Sequence, residues 1–310
     1  MLESAVWLGP TAGTIQHPDV ADAWSDTQTG NLSLEECLLL RISAAQLIQV
    51  IAHPATEKMT PEEAQMFFQI HSGLPREGPG SKVSTQRAFN NIEDLPGKPM
   101  ILDIGCGPGA QTLELAQLST GLIYALDNHG PFIEGLKEEV RRLQLTERVF
   151  PLLGDMRALP FDNEHFDLLW AEGSIYIVGV EQGLMRWRPY LKKRGYVAFS
   201  DVAWLRENPP EELRDFWSES YSGISTIEHT ETLIERTGFE LQKRFVLPES
   251  DWWDEYYRPI EERLPRLLEE HRQDPSALRV IETGKKEIDL YRKYSSYYGY
   301  VFYVARRNDA

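Results

Sequence analysis

The sequence predicts an α/β fold in which helices flank a mostly parallel sheet. An apolar run at residues 100–104 leads directly into a glycine-rich turn and then a helix-forming segment. Further short apolar runs alternate with helical segments up to residue 201, a pattern typical of parallel strands joined by right-handed crossovers. With 310 residues and 42% hydrophobic content, the chain can also bury a full core.

The first third of the chain precedes this alternating region. Residues 1–30 carry Gly, Pro, Thr and Asp without periodicity, so we expect an irregular arm there. Residues 33–52 begin with a capping-box pattern and continue with an apolar helical face, which predicts a helix that ends before His53-Pro54. A second helix is expected from Thr60, as the cap, to about Ile70.

Residues 73–84 contain three glycines and two prolines and are predicted to form a loop. Loops placed directly before a ligand-binding core often cover the ligand. A ligand carboxylate in a dry site needs a cation or several N–H donors, so Arg76 is a candidate contact for it. Ser81 could approach the same ligand through its backbone. A plain linker is the alternative interpretation of this segment.

Residues 101–109 read Ile-Leu-Asp-Ile-Gly-Cys-Gly-Pro-Gly. Gly105 and Gly107 allow positive φ and present no Cβ, so a ligand can lie against the backbone at a helix N-terminus. With Ala110 the stretch also satisfies the loose dinucleotide pattern, which is weak by itself. An acid at Asp103 disfavours a pyrophosphate and suits the cationic groups of S-adenosylmethionine better. A tight turn that binds nothing is the alternative.

The next two apolar runs end in further candidate cofactor contacts. The second run closes at Asp127, with Asn128 beside it, and an acid about 20 residues after the loop can accept hydrogen bonds from both ribose hydroxyls. The third run, residues 149–153, leads into the segment GDMRALPF. There Asp155 can accept from the adenine amino group, and Met156 offers a backbone N–H and a thioether. Asp155 could alternatively be a helix cap or turn residue.

The segments LDIGCGPG, LDN and GDMRALPF, in this order and spacing, resemble those of the class I S-adenosylmethionine-dependent methyltransferases. A narrower likeness covers residues 60–307 and looks like a bacterial group related to the nodulation N-methyltransferases. The resemblance implies a Rossmann-like seven-stranded sheet with an antiparallel last strand, and S-adenosylmethionine as the cofactor. One departure is Ile177, since the group commonly has Asn after the Ile-Tyr pair. A polar substrate contact from that position is therefore in question.

The predicted organisation has five parts, with an N-terminal helical extension and a helical insertion between the last two strands. They are an arm and helical extension at 1–60, a helix and cofactor-covering loop at 61–98, the cofactor-binding core at 99–250, a substrate cap at 251–296, and a closing strand and tail at 297–310. Within them, strands are expected at 100–104, 122–126, 149–153, 166–170, 195–201, 239–246 and 299–306, and core helices at 110–118, 131–143, 180–191 and 226–237.

Ligands of an open parallel sheet meet at the carboxyl ends of its strands. The fourth predicted strand is followed by Glu172 and Tyr176, which we expect beside the transferable methyl group as catalytic candidates. Glu172 could orient or deprotonate an amine or compensate the sulfonium charge, or it could only cap a turn. The fifth strand ends near Asp201 and Trp204, which are second candidates for the acceptor side.

The predicted insertion is rich in aromatic residues, among them Trp253 and Tyr257. Aromatic faces could sandwich a flat substrate or hold a cationic amine. Aromatic residues at helical spacing are, however, often core residues, and that interpretation is open as well.

Composition limits the partners. The net charge of −16 disfavours nucleic acid, and no apolar stretch approaches the ~18 residues of a membrane span. Two cysteines, one of them within the glycine loop, favour a reducing compartment, by default the cytoplasm. The histidines lack metal-ligand spacing, so we expect no metal. Nothing in the sequence indicates the oligomeric state.

Three hypotheses about function follow from these residues. The leading one is a methyltransferase that acts on a small-molecule acceptor by direct in-line transfer. The alternatives are an NAD(P)-dependent dehydrogenase and a cofactor-binding protein without methyl transfer activity. The GDMRALPF segment has no role in a dehydrogenase, which favours the first hypothesis. The acceptor itself cannot be identified because function depends on the site and its cap rather than on the fold.

Overall fold

The structure is a computed structural model that describes residues 59–308. The predicted arm at residues 1–30 and the predicted helix at 33–52 lie outside the described residues. Within residues 59–308, no helix is both long enough and apolar enough to cross a membrane.

The described residues form eight strands and ten α-helices. The strands are β1 Met100–Ile104, β2 Leu122–Asp127, β3 Val149–Leu153, β4 Phe166–Glu172, β5 Leu191–Trp204, β6 Ser225–Thr226, β7 Phe239–Val246 and β8 Tyr298–Arg307. The helices are α1 Pro61–His71, α2 Lys82–Phe89, α3 Ala110–Leu118, α4 Gly130–Arg142, α5 Val180–Trp187, α6 Glu211–Ser220, α7 Ile227–Arg236, α8 Glu249–Trp252, α9 Arg258–Glu270 and α10 Pro275–Tyr294. Short 3₁₀ turns occupy Ile175–Ile177 and Arg188–Tyr190, and a π-helical turn at Trp253–Tyr257 joins α8 to α9.

All strands belong to one sheet in the order β3-β2-β1-β4-β5-β8-β7, with β6 paired to the end of β5. The strands from β3 to β5 are parallel, and β8 is antiparallel to both of its neighbours. Strand β4 is buried along nearly its whole length, which is why it reads as a continuous apolar run. The predicted mostly parallel sheet with an antiparallel last strand is confirmed.

Two features of the sheet differ from the prediction. Strand β5 is longer than the expected 195–201 because β8 pairs with it from Tyr196 to Trp204. The additional strand β6 is only two residues long and pairs with Ala203 and Trp204. Both features depend on strand pairing between distant segments of the chain. Local apolar patterns do not predict such pairing.

The sheet positions the site through its strand order. Strand β1 lies between β2 and β4, so the chain reverses its direction of winding there and opens a crevice at the carboxyl ends of these strands. The loops that follow β1, β2, β3 and β4 all meet at this crevice.

Helices from both ends of the chain cover the crevice region. Thr60 and Glu63 form a capping box at the start of α1. Helix α1 packs against α9 and α10 of the insertion between β7 and β8, and α2 packs against α3 of the core. The expected helical insertion between the last two strands is therefore present. Helices α1 and α2, which precede the core in the sequence, contact this insertion and the core respectively.

Candidate cofactor and acceptor site

A cavity of about 870 Å³, including its open mouth, lies at the carboxyl ends of the parallel strands. Its walls come from five segments, which are residues 76–79, 105–108, 126–128, 154–156 and part of 172–177. Seven predicted cofactor contacts line it, namely Arg76, Gly105, Gly107, Asp127, Asn128, Asp155 and Met156. The structure thus brings together the residues of all three sequence motifs.

The glycine loop cannot accept larger residues where it turns. Gly105 has φ +73°, and a Cβ there would lie 2.5 Å from the Cβ of Ser174. Ser174 is itself fixed, because its hydroxyl donates to the carbonyl of Ile104 over 2.6 Å. Since both the left-handed backbone and the close approach exclude a side chain, glycine is required at this position. The backbone of the loop therefore remains open to the cavity.

Asp127 is held by the loop that it faces. Its two carboxylate oxygens accept the N–H of Gly107 at 2.9 Å and the N–H of His129 at 2.8 Å. Burial raises the pKa of Asp127, and these backbone hydrogen bonds oppose the rise. Because a carboxylate offers about four acceptor positions, Asp127 keeps acceptor capacity for a ligand hydroxyl.

The wall after β3 places two predicted adenine contacts. Asp155 accepts from the backbone and guanidinium of Arg157 at 2.8 Å and 3.0 Å and remains partly exposed. The carbonyl of Met156 accepts from the indole of Trp187 at 3.0 Å, which leaves its N–H and thioether for the cavity. Both residues line the cavity, and their contacts with adenine stay a prediction.

Asp103 differs from its prediction as a direct cofactor contact. It is fully buried beneath the loop and does not line the cavity. Its oxygens accept from Thr112 at 2.5 Å and from Gln111 at 3.5 Å, both on α3. Burial raises the pKa of Asp103 to about 7. The residue therefore joins β1 to α3 and supports the loop from below.

Arg76 lines the cavity, and the chain already engages three of its five N–H donors. Its guanidinium donates to Glu172 at 2.7 Å, to Glu255 at 3.2 Å and to Thr85 at 3.3 Å. The side chains of Arg76 and Glu172 are each only 6% exposed. We expected Arg76 to pair with the methionine carboxylate of the cofactor. In the structure its carboxylate partners are instead Glu172 and Glu255.

Glu172 also lines the cavity, and its second oxygen is engaged as well. That oxygen accepts from the hydroxyl of Thr85 at 2.7 Å and from the indole of Trp170 at 2.9 Å. Glu172 therefore already accepts three hydrogen bonds from the chain, one of them from a guanidinium. The prediction of Glu172 as an available base disagrees with this arrangement, which makes it an anchor for Arg76.

Ser81 does not line the cavity. Its side chain caps α2 by accepting the N–H of Ser84 at 3.2 Å. The hydroxyl therefore stabilises the start of α2, and the predicted cofactor contact from Ser81 finds no support in this placement.

Tyr176 lines the cavity on the acceptor side, and its ring packs edge-on against Tyr221 with centroids 5.6 Å apart. Burial, and then the negative charge of Asp201, raises the pKa of Tyr176 to about 12. Asp201 lies behind these rings, where it accepts from the hydroxyl of Tyr221 at 3.2 Å. Burial raises the pKa of Asp201 to about 7. Asp201 thus reaches the cavity only through the tyrosines.

The other predicted acceptor contacts, Trp204, Trp253 and Tyr257, do not line this cavity. Tyr257 is 1% exposed and donates to Glu287 over 2.8 Å. It packs on Trp252, which stacks on Tyr291 with centroids 4.2 Å apart. The packing interpretation therefore holds for Tyr257, because the aromatic residues of the insertion bury one another against β8.

Glu77 is a cavity residue that the sequence interpretation missed. Both of its carboxylate oxygens are shielded from solvent and have no hydrogen-bond partner among residues 59–308. Burial, and then the charge of Asp127, raises the pKa of Glu77 to about 8. In the sequence it is one acid beside Arg76 in a loop, and only the packing of that loop distinguishes it.

Within the described residues 59–308, no group of His, Cys, Asp and Glu side chains could hold a metal ion.

Comparisons with known proteins agree with this geometry. A family model described as a methyltransferase domain matches residues 101–195. The methyltransferase GfsG of Streptomyces halstedii is 25% identical over 51% of this chain and 58% of its own length. The 27-O-demethylrifamycin SV methyltransferase of Amycolatopsis mediterranei is 25% identical over 67% of this chain and 77% of its own length. The chain spans about half the length of several curated relatives that it matches.

Solved structures show the same fold. An S-adenosylmethionine-dependent methyltransferase from Geobacter sulfurreducens, in complex with S-adenosyl-L-homocysteine, aligns with a TM-score of 0.67 at 20% identity. The alignment covers 79% of this chain and 98% of that one. At this identity the likeness establishes the sheet and its helices rather than the contents of the cavity.

Proposed function

From the Rossmann-like fold of the class I S-adenosylmethionine-dependent methyltransferases, which this chain has, we propose that the protein transfers a methyl group from S-adenosylmethionine to a small-molecule acceptor. The observation that carries the proposal is one cavity lined by all three motifs. The glycine loop presents its backbone to the cavity at Gly105 and Gly107. Asp127 keeps acceptor capacity for ribose hydroxyls, and Met156 lines the part of the cavity where we expect the adenine ring.

The residues present suit this cofactor. An adenosyl group needs hydroxyl acceptors and a polar edge for its base, and Asp127 with the segment 154–156 supplies both. The cofactor itself supplies a methyl group activated by a sulfonium. The protein must hold the two reactants in line and exclude water. The segment 76–79 closes one side of the cavity, and the Arg76–Glu172 ion pair fixes it to the end of β4.

Tyr176 is the residue best placed to contact the acceptor. Because its pKa is raised to about 12, the phenol stays protonated at neutral pH and acts as a hydrogen-bond donor rather than as a base. Glu172 contributes as a positioning residue through Arg76. Asp201 lies one tyrosine further from the cavity and orients Tyr221.

Two observations favour a small acceptor. The cavity is narrow and partly enclosed by the segment 76–79, and a net charge of −16 opposes binding to nucleic acid. The rifamycin relative is named for a small molecule. The narrower likeness to nodulation N-methyltransferases stays a prediction, as does a cytoplasmic location.

Calorimetry with S-adenosylmethionine, S-adenosylhomocysteine and NAD tests the proposal. We expect both adenosyl ligands to bind and NAD to give no heat. Transfer is then measured with labelled S-adenosylmethionine and a fractionated metabolite extract, followed by mass detection of the product. Binding of NAD alone would support the dehydrogenase. Tight binding of the adenosyl ligands with no labelled product in any fraction would support a cofactor-binding protein without transfer activity.

Once an acceptor is identified, Tyr176→Phe should lower turnover by about tenfold or more, because a donor within the acceptor site is lost. Cofactor affinity should change little, since the adenosyl contacts come from other walls. Tyr190→Phe is the matched control, because that hydroxyl donates to the carbonyl of Leu159 away from the cavity. Equal turnover for the two variants would remove Tyr176 from the acceptor site.

A further inference from the structure

Glu77 lies over the glycine loop, inside the cavity. A Cβ on Gly107 would be 3.7 Å from the Cγ of Glu77, so the carboxylate extends from the covering segment toward the loop backbone. The negative charge of Glu77 also raises the pKa of Tyr176 and of Tyr256. Glu77 therefore lines the cavity beside the glycine loop.

The surrounding residues do not satisfy this carboxylate. Both oxygens are buried without a donor among residues 59–308, and the nearest influences on its charge are Asp127 and Arg263. Arg263 donates elsewhere, to the carbonyls of Ile70 at 2.6 Å and Ser72 at 2.7 Å. Buried carboxylates are normally paired or hydrogen-bonded. Because its pKa is raised to about 8, the Glu77 carboxyl holds a proton at neutral pH in the ligand-free protein, and a cationic ligand beside it would replace that proton.

We propose that Glu77 is a further cofactor-binding residue whose carboxylate receives the positively charged sulfonium of S-adenosylmethionine, so that the site distinguishes this cofactor from its uncharged thioether product. The inference rests on the proposed function. In the cofactor the sulfonium is bonded directly to the ribose 5′ carbon. Glu77 approaches Gly107, whose N–H donates to Asp127, so its carboxylate lies on the side of the cavity expected for the ribose and within reach of the sulfonium. The cofactor's ammonium group lies several bonds further along its chain.

The test compares wild type with Glu77→Gln by calorimetry, using S-adenosylmethionine, S-adenosylhomocysteine and a stable analogue with a protonated amine at the sulfonium position. We expect Glu77→Gln to weaken binding of the two cationic ligands by about tenfold, through loss of one short-range charge interaction. Binding of S-adenosylhomocysteine should change by less than about twofold on the same reasoning. Glu262→Gln, a change of an exposed glutamate on α9, is the control and should leave all three affinities unchanged.

An equal loss for S-adenosylmethionine and S-adenosylhomocysteine would overturn the inference, since both carry the ammonium and only one carries the sulfonium. Unchanged affinity for all three ligands would overturn it too, and would direct attention to a cationic acceptor. If the wild-type protein bound neither adenosyl ligand, the proposed function would be wrong. That outcome is distinct from failure of the inference about Glu77, because it does not depend on the variant.

Stability of the ligand-free protein provides a second readout. The pKa of Glu77 is raised to about 8, so the folded protein loses stability as pH rises from the ordinary glutamate value toward 8. Glu77→Gln should therefore raise the melting temperature by several degrees at pH 8 and by little at pH 5. The other titratable or charged groups facing Glu77 are Asp127, Arg263, Tyr176 and Tyr256, and they are the same in both proteins. A melting temperature at pH 8 that is lower for Glu77→Gln than for wild type would contradict the claim that the Glu77 carboxylate is buried without a partner.

Discussion

Arg76→Leu should lower the free energy of unfolding by about 3–5 kcal/mol, because it leaves Glu172 as a buried charge without its cation. The two side chains are each 6% exposed and join over 2.7 Å. The change also removes donors from Thr85 and from Glu255, which is 40% exposed and can be hydrated. The cost thus comes mainly from the Glu172 carboxylate.

Urea denaturation monitored by fluorescence measures this effect. Arg266→Leu is the matched control, since it breaks an exposed ion pair with Glu270 that is worth about 0–1 kcal/mol. The double change Arg76→Leu with Glu172→Leu should recover a large part of the loss, because no unpaired charge is left inside. A cost for Arg76→Leu no greater than that of Arg266→Leu would contradict a buried pair.

Asp127→Ala should weaken binding of both S-adenosylmethionine and S-adenosylhomocysteine by about 10- to 100-fold, because hydrogen bonds from two ribose hydroxyls to a charged acceptor are lost. The change also frees the N–H groups of Gly107 and His129, which Asp127 fixes at 2.9 Å and 2.8 Å. The glycine loop should therefore become less ordered before the ligand binds.

Calorimetry at constant pH measures the affinities. Asp127→Asn separates the two contributions, because an amide oxygen keeps one acceptor for the backbone while the charge is removed, and an intermediate loss is expected. Asp215→Ala, at an exposed position on α6, is the control for loss of one negative charge on the surface. If affinity is unchanged in Asp127→Ala while its fold is intact, Asp127 does not hold the ribose.

The strands and the glycine loop could be predicted from sequence because their signals are local. Six of the seven expected strands lie within a residue or two of the observed ones, since a buried strand has a continuous apolar run. The strand that differs most is β5, whose length depends on pairing with β8. The expected positive φ is present at Gly105 and at Gly107, because it is a property of the turn itself.

The class of fold, the order of its elements and most of the cavity-lining residues of the three motifs follow from local sequence, because each depends on neighbouring residues in one segment. Only the tertiary structure decided which charged groups have partners. Arg76 and Glu172 are 96 residues apart and neutralise one another, and Tyr257 is buried against an aromatic cluster rather than open to a substrate. Glu77 is left without a donor although Arg76 is its neighbour in the chain. Burial and ion pairing depend on contacts between distant segments of the chain. Residue type and spacing within one segment do not predict these contacts.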